Sequence, residues 1–399
     1  MVSTVMDSID SSETIQKGLE GVIIDESEIS RVFGDEGKLL LRGYDVHDIA
    51  AHADYPETLY LVWNGDLPTR EEYESFQDDM TSRRALPDTI IECLHNYAAA
   101  DLHPMEAMMA ATVNLAGHDE HIITGKPQTF EDEIPDVMEM GKSIAAKLPT
   151  ITAAYNRIRE GKDPIEPRPD LESGENFLYM LNGEVPPEIF ADTMETAFQI
   201  HMDHGANAST FTSRVIASTM ANPFEAVTGA MGALAGPLHG AANQDTLNML
   251  EKIDESDKSV GEWIDDTLDE GGVVYGYGHR VYNTKDPRAY ILQDHAETII
   301  DTEYGNDKWY SLAKEVEAHM DEKGLEEKGI APNVDFFSGT IYKQMGIPTD
   351  VYTNLFTISR VGGWIGHVVE QYSDNRIIRP RVKYTGPEER DWPSMENRD

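Results

Sequence analysis

The chain of 399 residues has one cysteine, Cys93, and only 32 basic residues. A lone cysteine rules out an intrachain disulfide or a zinc site built from several cysteines, and its apolar neighbours predict a buried thiol. No apolar run reaches the roughly 20 residues that a membrane-spanning helix needs, and the N-terminal residues lack the basic and apolar blocks of a secretion signal. These absences predict a soluble, cytoplasmic protein.

Acidic residues dominate the charge, since 73 Asp and Glu residues give a formal net charge of −41. This charge repels phosphate backbones and anionic lipids, so neither nucleic acid nor a membrane surface is an expected partner. The acids occur in short groups along the whole chain, which indicates a charged coat and not a tail. Two interpretations stay open, an ordinary acidic enzyme or adaptation to the salt-rich cytoplasm of a halophilic prokaryote, and we favour the second.

The spacing of apolar residues indicates the fold class. After residue 56 they recur mostly every three or four positions, which predicts more than a dozen helices. Capping residues indicate helix starts within residues 67–72, 186–188 and 207–210. Residues 21–24 and 37–41 are the clearest strand signals and predict a small N-terminal hairpin. The length exceeds what one core usually supports, so we expect a mainly α protein of two domains.

Two histidines, His201 and His204, lie three positions apart. On a helix they would share one face, which leaves open a metal pair or a buried core histidine at His201. The chain has no HExxH spacing here and no cysteine to support a metal site, which favours the core histidine. We therefore predict no metal ion.

Three further segments combine reactive side chains with small or apolar neighbours. His239 lies in a Gly-Pro-Leu-His-Gly turn and is either an ordinary loop residue or a fixed hydrogen-bond donor to a substrate carbonyl. Asp335 is either a helix N-cap or a base strengthened by its apolar surroundings. The glycine-rich residues 271–280 lack the strand and helix of a dinucleotide fold, and their open backbone suits recognition of a flat base.

Arginines cluster near the C-terminus at Arg376, Arg379 and Arg381. Guanidinium groups bind carboxylates through paired hydrogen bonds, so this cluster indicates an anion site in an otherwise acidic chain. A salt-bridged tail is the alternative.

Together these segments resemble the citrate synthase family. The resemblance runs from about Gly18 to Gly386 and rests on three motifs in a fixed order, Gly-Pro-Leu-His-Gly, Gly-Tyr-Gly-His-Arg-Val and Pro-Asn-Val-Asp-Phe. It implies a mostly helical homodimer whose subunit has a large domain, residues 1–238 and 341–399, and a small domain, residues 239–340. The small domain would close over oxaloacetate.

The resemblance also implies a reaction of the tricarboxylic acid cycle that needs no cofactor. Acetyl-coenzyme A and oxaloacetate would condense with water to give citrate and coenzyme A. Asp335 would remove a methyl proton, His239 would hydrogen-bond the thioester oxygen and His279 would polarise the ketone of oxaloacetate. The residues implied in binding oxaloacetate are His204, Arg288, Arg360 and, from the neighbouring subunit, Arg379. The segment expected to bind coenzyme A consists of Val273, Val274, Tyr275, Gly276, Tyr277 and Gly278.

Two alternatives remain beside this reaction. A 2-methylcitrate synthase would share these residues, use propionyl-coenzyme A and differ only in the room beside the acyl methyl group. A catalytically silent metabolite-binding regulator would be favoured by loss of Asp335, His239 or His279, and all three are present.

The net charge predicts that the fold depends on salt. The 41 uncompensated negative charges repel one another, and at 1 M salt the screening length falls to about 3 Å, which removes most of that repulsion. We expect thermal stability and the dimer to weaken as KCl is diluted from about 3 M to about 0.1 M, with activity highest at molar salt. Thermal melts and sedimentation measure this, and a protein equally stable and dimeric throughout would contradict the salt adaptation.

Overall fold

The computed structural model describes residues 15–121, 134–240 and 242–398, and within them the chain is mainly α-helical, as predicted. The α-helices of this part of the chain are α1 (Val46–His52), α2 (Tyr55–Asn64), α3 (Arg70–Ser82), α4 (Asp88–Ala99), α5 (Pro104–Leu115), α6 (Ile134–Arg159), α7 (Ser173–Asn182), α8 (Glu188–Ile200), α9 (Ala208–Ala217), α10 (Pro223–Leu234), α11 (Ala242–Asp254), α12 (Val260–Asp269), α13 (Pro287–Ile300), α14 (Lys308–Glu322), α15 (Asp335–Gln344) and α16 (Tyr352–Ser373). None of the described helices combines the length and apolar character needed to cross a membrane.

The predicted helix starts are confirmed where the capping chemistry is strong. The Thr69 hydroxyl accepts a hydrogen bond from the Glu72 N–H, and the Glu72 carboxylate accepts one from the Thr69 N–H at the start of α3. Asn207 caps α9 through its side-chain oxygen, and α8 begins at Glu188, directly after two prolines. The two side-chain caps satisfy backbone groups that the first helical turn leaves unpaired.

The described strands form one three-stranded antiparallel sheet near the N-terminus. In spatial order they are β1 (Ser30–Phe33), β2 (Lys38–Leu41) and β3 (Tyr44–Asp45). The strand predicted at 37–41 is confirmed, but the strand predicted at 21–24 is wrong, and Ile23 is 91% exposed. The partner of β2 is β1 because residues 34–37 form a short loop that closes a hairpin, whereas residues 21–24 would need a much longer connection.

Helix α16 lies at the centre of the core. Eighteen of its 22 residues are buried, because α2, α5, α6, α8, α9 and α10 pack around it. A helix buried on all sides is expected to be apolar or small all round, and α16 has glycines where its neighbours come close. A Cβ atom on Gly363 would lie 2.4 Å from the Met202 carbonyl oxygen. Arg360 also lies in this helix, and burying its charged side chain costs free energy unless the charge has a partner.

Two local predictions are corrected by the structure. The chain leaves α8 just before His201 in a tight turn, in which the Met202 N–H bonds back to the last helical turn, so His201 and His204 do not share a helical face. His201 is buried and donates its Nδ1–H to the Ala197 carbonyl oxygen at 2.8 Å, which confirms a satisfied core histidine. Cys93 is only half-buried and not buried as predicted, because α4 packs on the core through Ile90 and Leu94.

Away from these histidines, the carboxylate of Glu195 links helices α2, α7 and α8. Glu195 in α8 accepts hydrogen bonds from the Tyr55 N–H at the start of α2 (2.8 Å) and from the Gly174 N–H near the start of α7 (2.6 Å). Burial, with smaller contributions from Asp54 and Glu172, raises the pKa of Glu195 to about 7. The helix N-termini favour the negative charge, but removing it from water costs more free energy.

We predict that Glu195 makes stability fall as pH rises. Because its folded-state pKa of about 7 exceeds the ordinary 4.5, the folded protein binds this proton more tightly, and the stabilisation is lost as pH rises from 4.5 to about 7. Relative to Glu195→Gln, the free energy of unfolding of the wild type should fall by on the order of 2 kcal/mol between about pH 5 and about pH 8. Urea unfolding measures it, with Glu188→Gln as an exposed control on the same helix. Parallel pH curves for the wild type and Glu195→Gln would contradict the prediction.

Candidate active site

Two turns from distant parts of the chain bring His204 and His279 together. His204 follows α8 and His279 precedes α13, and their ring centroids lie 5.1 Å apart. The Tyr282 hydroxyl lies 3.2 Å from His204 Nε2 and is itself buried. Burial, followed by the charge of Arg288, lowers the pKa of His204 far below its ordinary value, so this ring is neutral near pH 7.

The backbone after His279 fixes the tautomer of its ring. His279 Nδ1 accepts hydrogen bonds from the N–H groups of Val281 (2.9 Å) and Tyr282 (3.1 Å). Burial, with Arg288 as the next cause, lowers the pKa of His279 to about 4, so the neutral ring carries its proton on Nε2. The site therefore presents an Nε2–H group that can donate to a carbonyl oxygen.

His239 has the opposite tautomer for a similar reason. Its Nε2 accepts from the Ser209 N–H at 3.3 Å and lies 2.9 Å from the Ser209 hydroxyl, at the N-terminus of α9. Trp364 of α16 donates its indole N–H to the same hydroxyl at 3.2 Å. Burial, with a smaller contribution from Arg360, lowers the pKa of His239 to about 4. The neutral ring therefore keeps Nδ1–H free to donate to a ligand.

Asp335 is the first residue of α15 and not its N-cap. The N-cap position is Val334, and the Asn333 side chain accepts from the Asp335 N–H at 3.0 Å, so the Asp335 carboxylate takes no part in capping. Burial raises the pKa of Asp335 to about 6, against the opposing charge of Arg288. This carboxylate is ionised near pH 7 and is a stronger base than an ordinary aspartate.

Asn333 also ties the Asp335 segment to the His279 segment. Its N–H donates to the Gly276 carbonyl oxygen at 2.8 Å, and its side-chain amide donates to the Gly278 carbonyl oxygen at 3.0 Å. A Cβ atom on Gly276 would lie 2.8 Å from the Phe336 ring, so only glycine fits this contact. The segments of the base and the histidine are thus held together by Asn333 and by the close packing of Gly276 on Phe336.

Two buried arginines give the site its positive charge. Arg288 is paired with Asp286 through Nε at 3.0 Å and Nη2 at 2.6 Å. Arg360 is 2% exposed and donates its Nε–H to the His201 carbonyl oxygen at 2.7 Å, but it forms no ion pair with any described acid. Burial, more than the like charge of Arg288, lowers the pKa of Arg360 to about 10. A buried guanidinium without an acidic partner indicates a site for an anion.

The charge of Arg360 acts on four of the predicted residues at once. They are His204, His239, His279 and Asp335. The structure therefore brings six of the predicted residues, these four with Arg288 and Arg360, into one charged region.

The structure does not bring Arg379 or the whole glycine-rich segment to the site of the other predicted residues. Arg379 is exposed in the extended segment after α16, and no described residue of its own chain binds its guanidinium. In the predicted coenzyme A segment, Val273 and Tyr275 are exposed, Val274 is buried, and Tyr277 bridges to Pro332. The main chain of Gly276 and Gly278 is engaged by residues 331–333, so only the outer part of the segment is open to a ligand.

One trio of described residues has ligand atoms close enough for a metal ion. His204, His279 and Asp286 each offer one atom within 4.8 Å of the others. Both Asp286 oxygens already accept from Arg288, and His279 Nδ1 accepts from backbone N–H groups. The prediction of no metal stays a prediction, but these donors are largely occupied by the protein's own groups.

Sequence reasoning did not identify the residues that hold the site in place. Tyr282 and Asn333 lie next to or inside the motifs quoted above, Ser209 lies in the predicted helix start at 207–210, and Asp286 precedes α13, but each is an ordinary polar residue by sequence. The only available signal was their position beside a predicted site residue, as Asp286 stands two residues before Arg288. Their partners come from other parts of the chain, which a single sequence does not reveal.

Comparison with known proteins agrees with this geometry. The family described as citrate synthase, C-terminal domain, matches residues 18–381. The citrate synthase of Haloferax volcanii is 45% identical, and the match covers 97% of this chain and all of that protein. The 2-methylcitrate synthase 2 of Corynebacterium glutamicum is 36% identical, and the match covers 96% of this chain and 98% of that protein. The solved citrate synthase of Thermoplasma acidophilum, a ternary complex with carboxymethyl coenzyme A and oxaloacetate, has a TM-score of 0.87 at 32% identity, covering 97% of this chain and all of that one.

The match extends over nearly the whole chain in sequence and in fold, and it includes the segments that carry His239, His279 and Asp335. The chain therefore belongs to the citrate synthase family and is an enzyme of the citrate synthase type.

Proposed function

We propose that this protein condenses acetyl-coenzyme A with oxaloacetate and water to give citrate and free coenzyme A. The observation that carries the proposal is a single charged region in which a carboxylate of raised pKa and two neutral histidines lie near two buried guanidinium groups. Such a site can remove a weakly acidic proton, donate hydrogen bonds to carbonyl oxygens and hold a dianion. The names of its relatives support the same reaction.

The proposed chemistry assigns a separate task to each of three residues. The Asp335 carboxylate takes a proton from the acetyl methyl group while His239 donates its Nδ1–H to the thioester oxygen. The new carbanion-like carbon bonds to the ketone carbon of oxaloacetate, and the ketone oxygen receives the Nε2 proton of His279. Water then attacks the thioester carbonyl, the carbon–sulfur bond breaks, and one proton of that water goes to the sulfur, so that coenzyme A leaves as the free thiol. The proton on Asp335 is released and His279 regains its Nε2 proton, which restores the site. The fixed tautomers support these roles, because each leaves the required N–H group free.

Binding of the substrates is proposed for the remaining residues. Arg288, Arg360 and His204 would hold the carboxylates of oxaloacetate, and the absence of an ion pair for Arg360 among the described acids supports this most directly. Residues 273–278 would contact coenzyme A through their exposed part.

Thiol release tests the proposed function directly. Steady-state rates with oxaloacetate should give a higher kcat/KM for acetyl-coenzyme A than for propionyl-coenzyme A. The reverse order would indicate a 2-methylcitrate synthase, which is less favoured because that relative is less similar in sequence. Oxaloacetate binding without thiol release from either thioester would indicate a silent regulator.

We predict that two substitutions in the site impair different steps, one the chemical rate and the other the binding of oxaloacetate. Asp335→Asn should lower kcat by about 1,000-fold while oxaloacetate binds normally, because the base acts on the other substrate. Arg360→Gln should instead weaken oxaloacetate binding by about 2 to 4 kcal/mol, because it removes a buried partner of a carboxylate. Thiol release and calorimetric titration with oxaloacetate separate the two effects. Loss of oxaloacetate affinity in Asp335→Asn in parallel with rate would contradict the role of Asp335.

We also propose a homodimer, which a charge-poor face supports. Helices α5, α9 and α10 pack together and contain three charged residues among 34, where the composition of the chain would give about nine. Val113 is 43% exposed there, and Val215, Ile216 and Gly232 are also accessible. In a two-fold dimer each residue near the axis meets its own copy, so a charged face would repel itself. A charge-poor face on a subunit of charge −41 therefore suits self-association.

The C-terminal segment supports a contribution from one subunit to the other. After α16 the chain runs without helix or strand to a short turn at its end, and five of its large apolar side chains are exposed. They are Ile377 (59%), Val382 (84%), Tyr384 (73%), Trp392 (88%) and Met395 (74%). Such side chains favour burial against another surface, and a neighbouring subunit would supply it. Arg379 lies in this segment, and we propose that it reaches the partner's oxaloacetate site.

Mixing two inactive variants tests the role of Arg379. Asp335→Asn subunits and Arg379→Ala subunits should each be inactive as homodimers, but their heterodimer should regain activity, because one of its two sites carries neither lesion. Thiol release after verified subunit exchange measures the recovery, which should approach about half the wild-type rate per heterodimer. A mixture that stays inactive would place Arg379 in its own subunit's site or outside the reaction.

The domain division and the cellular setting are also proposals. Helices α11, α13, α14 and α15 pack on one another, which supports a small domain at residues 239–340 that closes over oxaloacetate. The single cysteine supports a cytoplasmic location, and the acidic coat supports a halophilic source.

A further inference from the structure

The turn of the N-terminal hairpin packs directly against the segment that follows His279. A Cβ atom on Gly34 would lie 2.1 Å from the Val281 carbonyl oxygen, so the two backbones touch only because Gly34 has no side chain. The Gly34 carbonyl oxygen accepts from the Asn283 N–H at 3.1 Å, and Asp35 Oδ1 accepts from the Asn283 side-chain amide at 2.7 Å.

The same segment supplies the hydrogen bonds that fix the ring of His279. The N–H of Val281 and the N–H of Tyr282 both donate to His279 Nδ1. A shift of Val281 would therefore move the imidazole and release its tautomer. The hairpin turn contacts Val281 and Asn283 of this short segment, and His279 accepts hydrogen bonds from Val281 and Tyr282 of the same segment.

The first strand of the hairpin holds the second histidine in a similar way. The Ser30 hydroxyl in β1 donates to the Asp203 carboxylate and accepts from the Gly205 N–H at 2.9 Å. Asp203 and Gly205 are the two neighbours of His204 in sequence, and Asp203 is fully buried. Both histidine turns thus contact one pair of hydrogen-bonded strands that lies far from them in sequence, and the contact with residues 281–283 joins the two proposed domains.

We propose that the β1–β2 hairpin is a positioning element for the pair His204 and His279, with Ser30, Gly34 and Asp35 as positioning residues. None of the three needs to touch substrate. They set the distance between two rings that the proposed function uses to hold and polarise oxaloacetate, and the proposal rests on that function. The hydrogen-bonded hairpin suits this task because its strands resist the small shifts that loops allow.

Gly34→Ala tests the close contact, and Gly117→Ala is its matched control because a Cβ atom there meets nothing within 4 Å. A displacement of Val281 by about 1 Å should lower kcat/KM for oxaloacetate by about 100-fold, and part of this loss should be a higher KM for oxaloacetate, while the KM for acetyl-coenzyme A changes less than about two-fold. The two KM values separate positioning from general damage, since partial unfolding would lower kcat and leave both KM values unchanged.

Asp35 supplies a second, milder test. Asp35→Ala removes the acceptor for Asn283 and should lower kcat/KM for oxaloacetate by about three- to ten-fold, whereas Asp35→Asn keeps a side-chain oxygen and should restore it. Glu36→Gln in the same turn is the control, because Glu36 is exposed and its side chain has no bond to residues 281–285. If Gly34→Ala does not fold, the Asp35 series decides.

The outcomes distinguish this proposal from the function on which it rests. A wild-type protein that releases no thiol with oxaloacetate overturns the proposed function. A wild type that is active, with Gly34→Ala and Asp35→Ala both within about two-fold of their controls in kcat/KM for oxaloacetate, overturns the positioning role alone.

Discussion

Two buried guanidinium groups, those of Arg288 and Arg360, place positive charge beside the reactive residues of the site. Burial is the larger cause of each lowered histidine pKa, and the arginine charges add to it. The same charges oppose the rise in the pKa of Asp335, which keeps this base ionised near pH 7. Arg288 is compensated by Asp286, but Arg360 has no described acid in contact. A bound dianion would supply the missing negative charge, so the site is organised around its ligand.

Helix α16 carries this charge into the core and also orders the segment before α9. Arg360, Trp364 and His367 recur about one helical turn apart, and they reach the His201 carbonyl oxygen, the Ser209 hydroxyl and the region of Asp203. Gly363 lets the backbone of residues 202–203 lie against the helix. A rigid buried helix can therefore place His204, through its neighbours, and His239, through Ser209, relative to the arginines.

Charged residues are unevenly distributed over the helices of the subunit. The chain has 73 acidic and 32 basic residues, whereas α5, α9 and α10 contain one charged residue each. Repulsion within the coat depends on salt, whereas burial of an apolar face depends on it much less. In the proposed homodimer, stability and assembly would therefore depend on the balance between these two surfaces.

The sequence by itself determined the helical class, the capped helix starts and the choice of candidate reactive residues. These features are local, because an N-cap, an apolar period or a Gly-Pro-Leu-His-Gly motif is complete within a few residues. Only the tertiary structure decided that β1 and not residues 21–24 pairs with β2, and that Asp335 stands free of its helix cap. The tertiary structure also decided which nitrogen of each histidine is free. Ser209 lies 30 residues from His239 in the chain, but its N–H lies 3.3 Å from His239 Nε2 and occupies that nitrogen. Tautomers, pKa values and close backbone contacts depend on groups that meet in space, and one sequence does not specify those meetings.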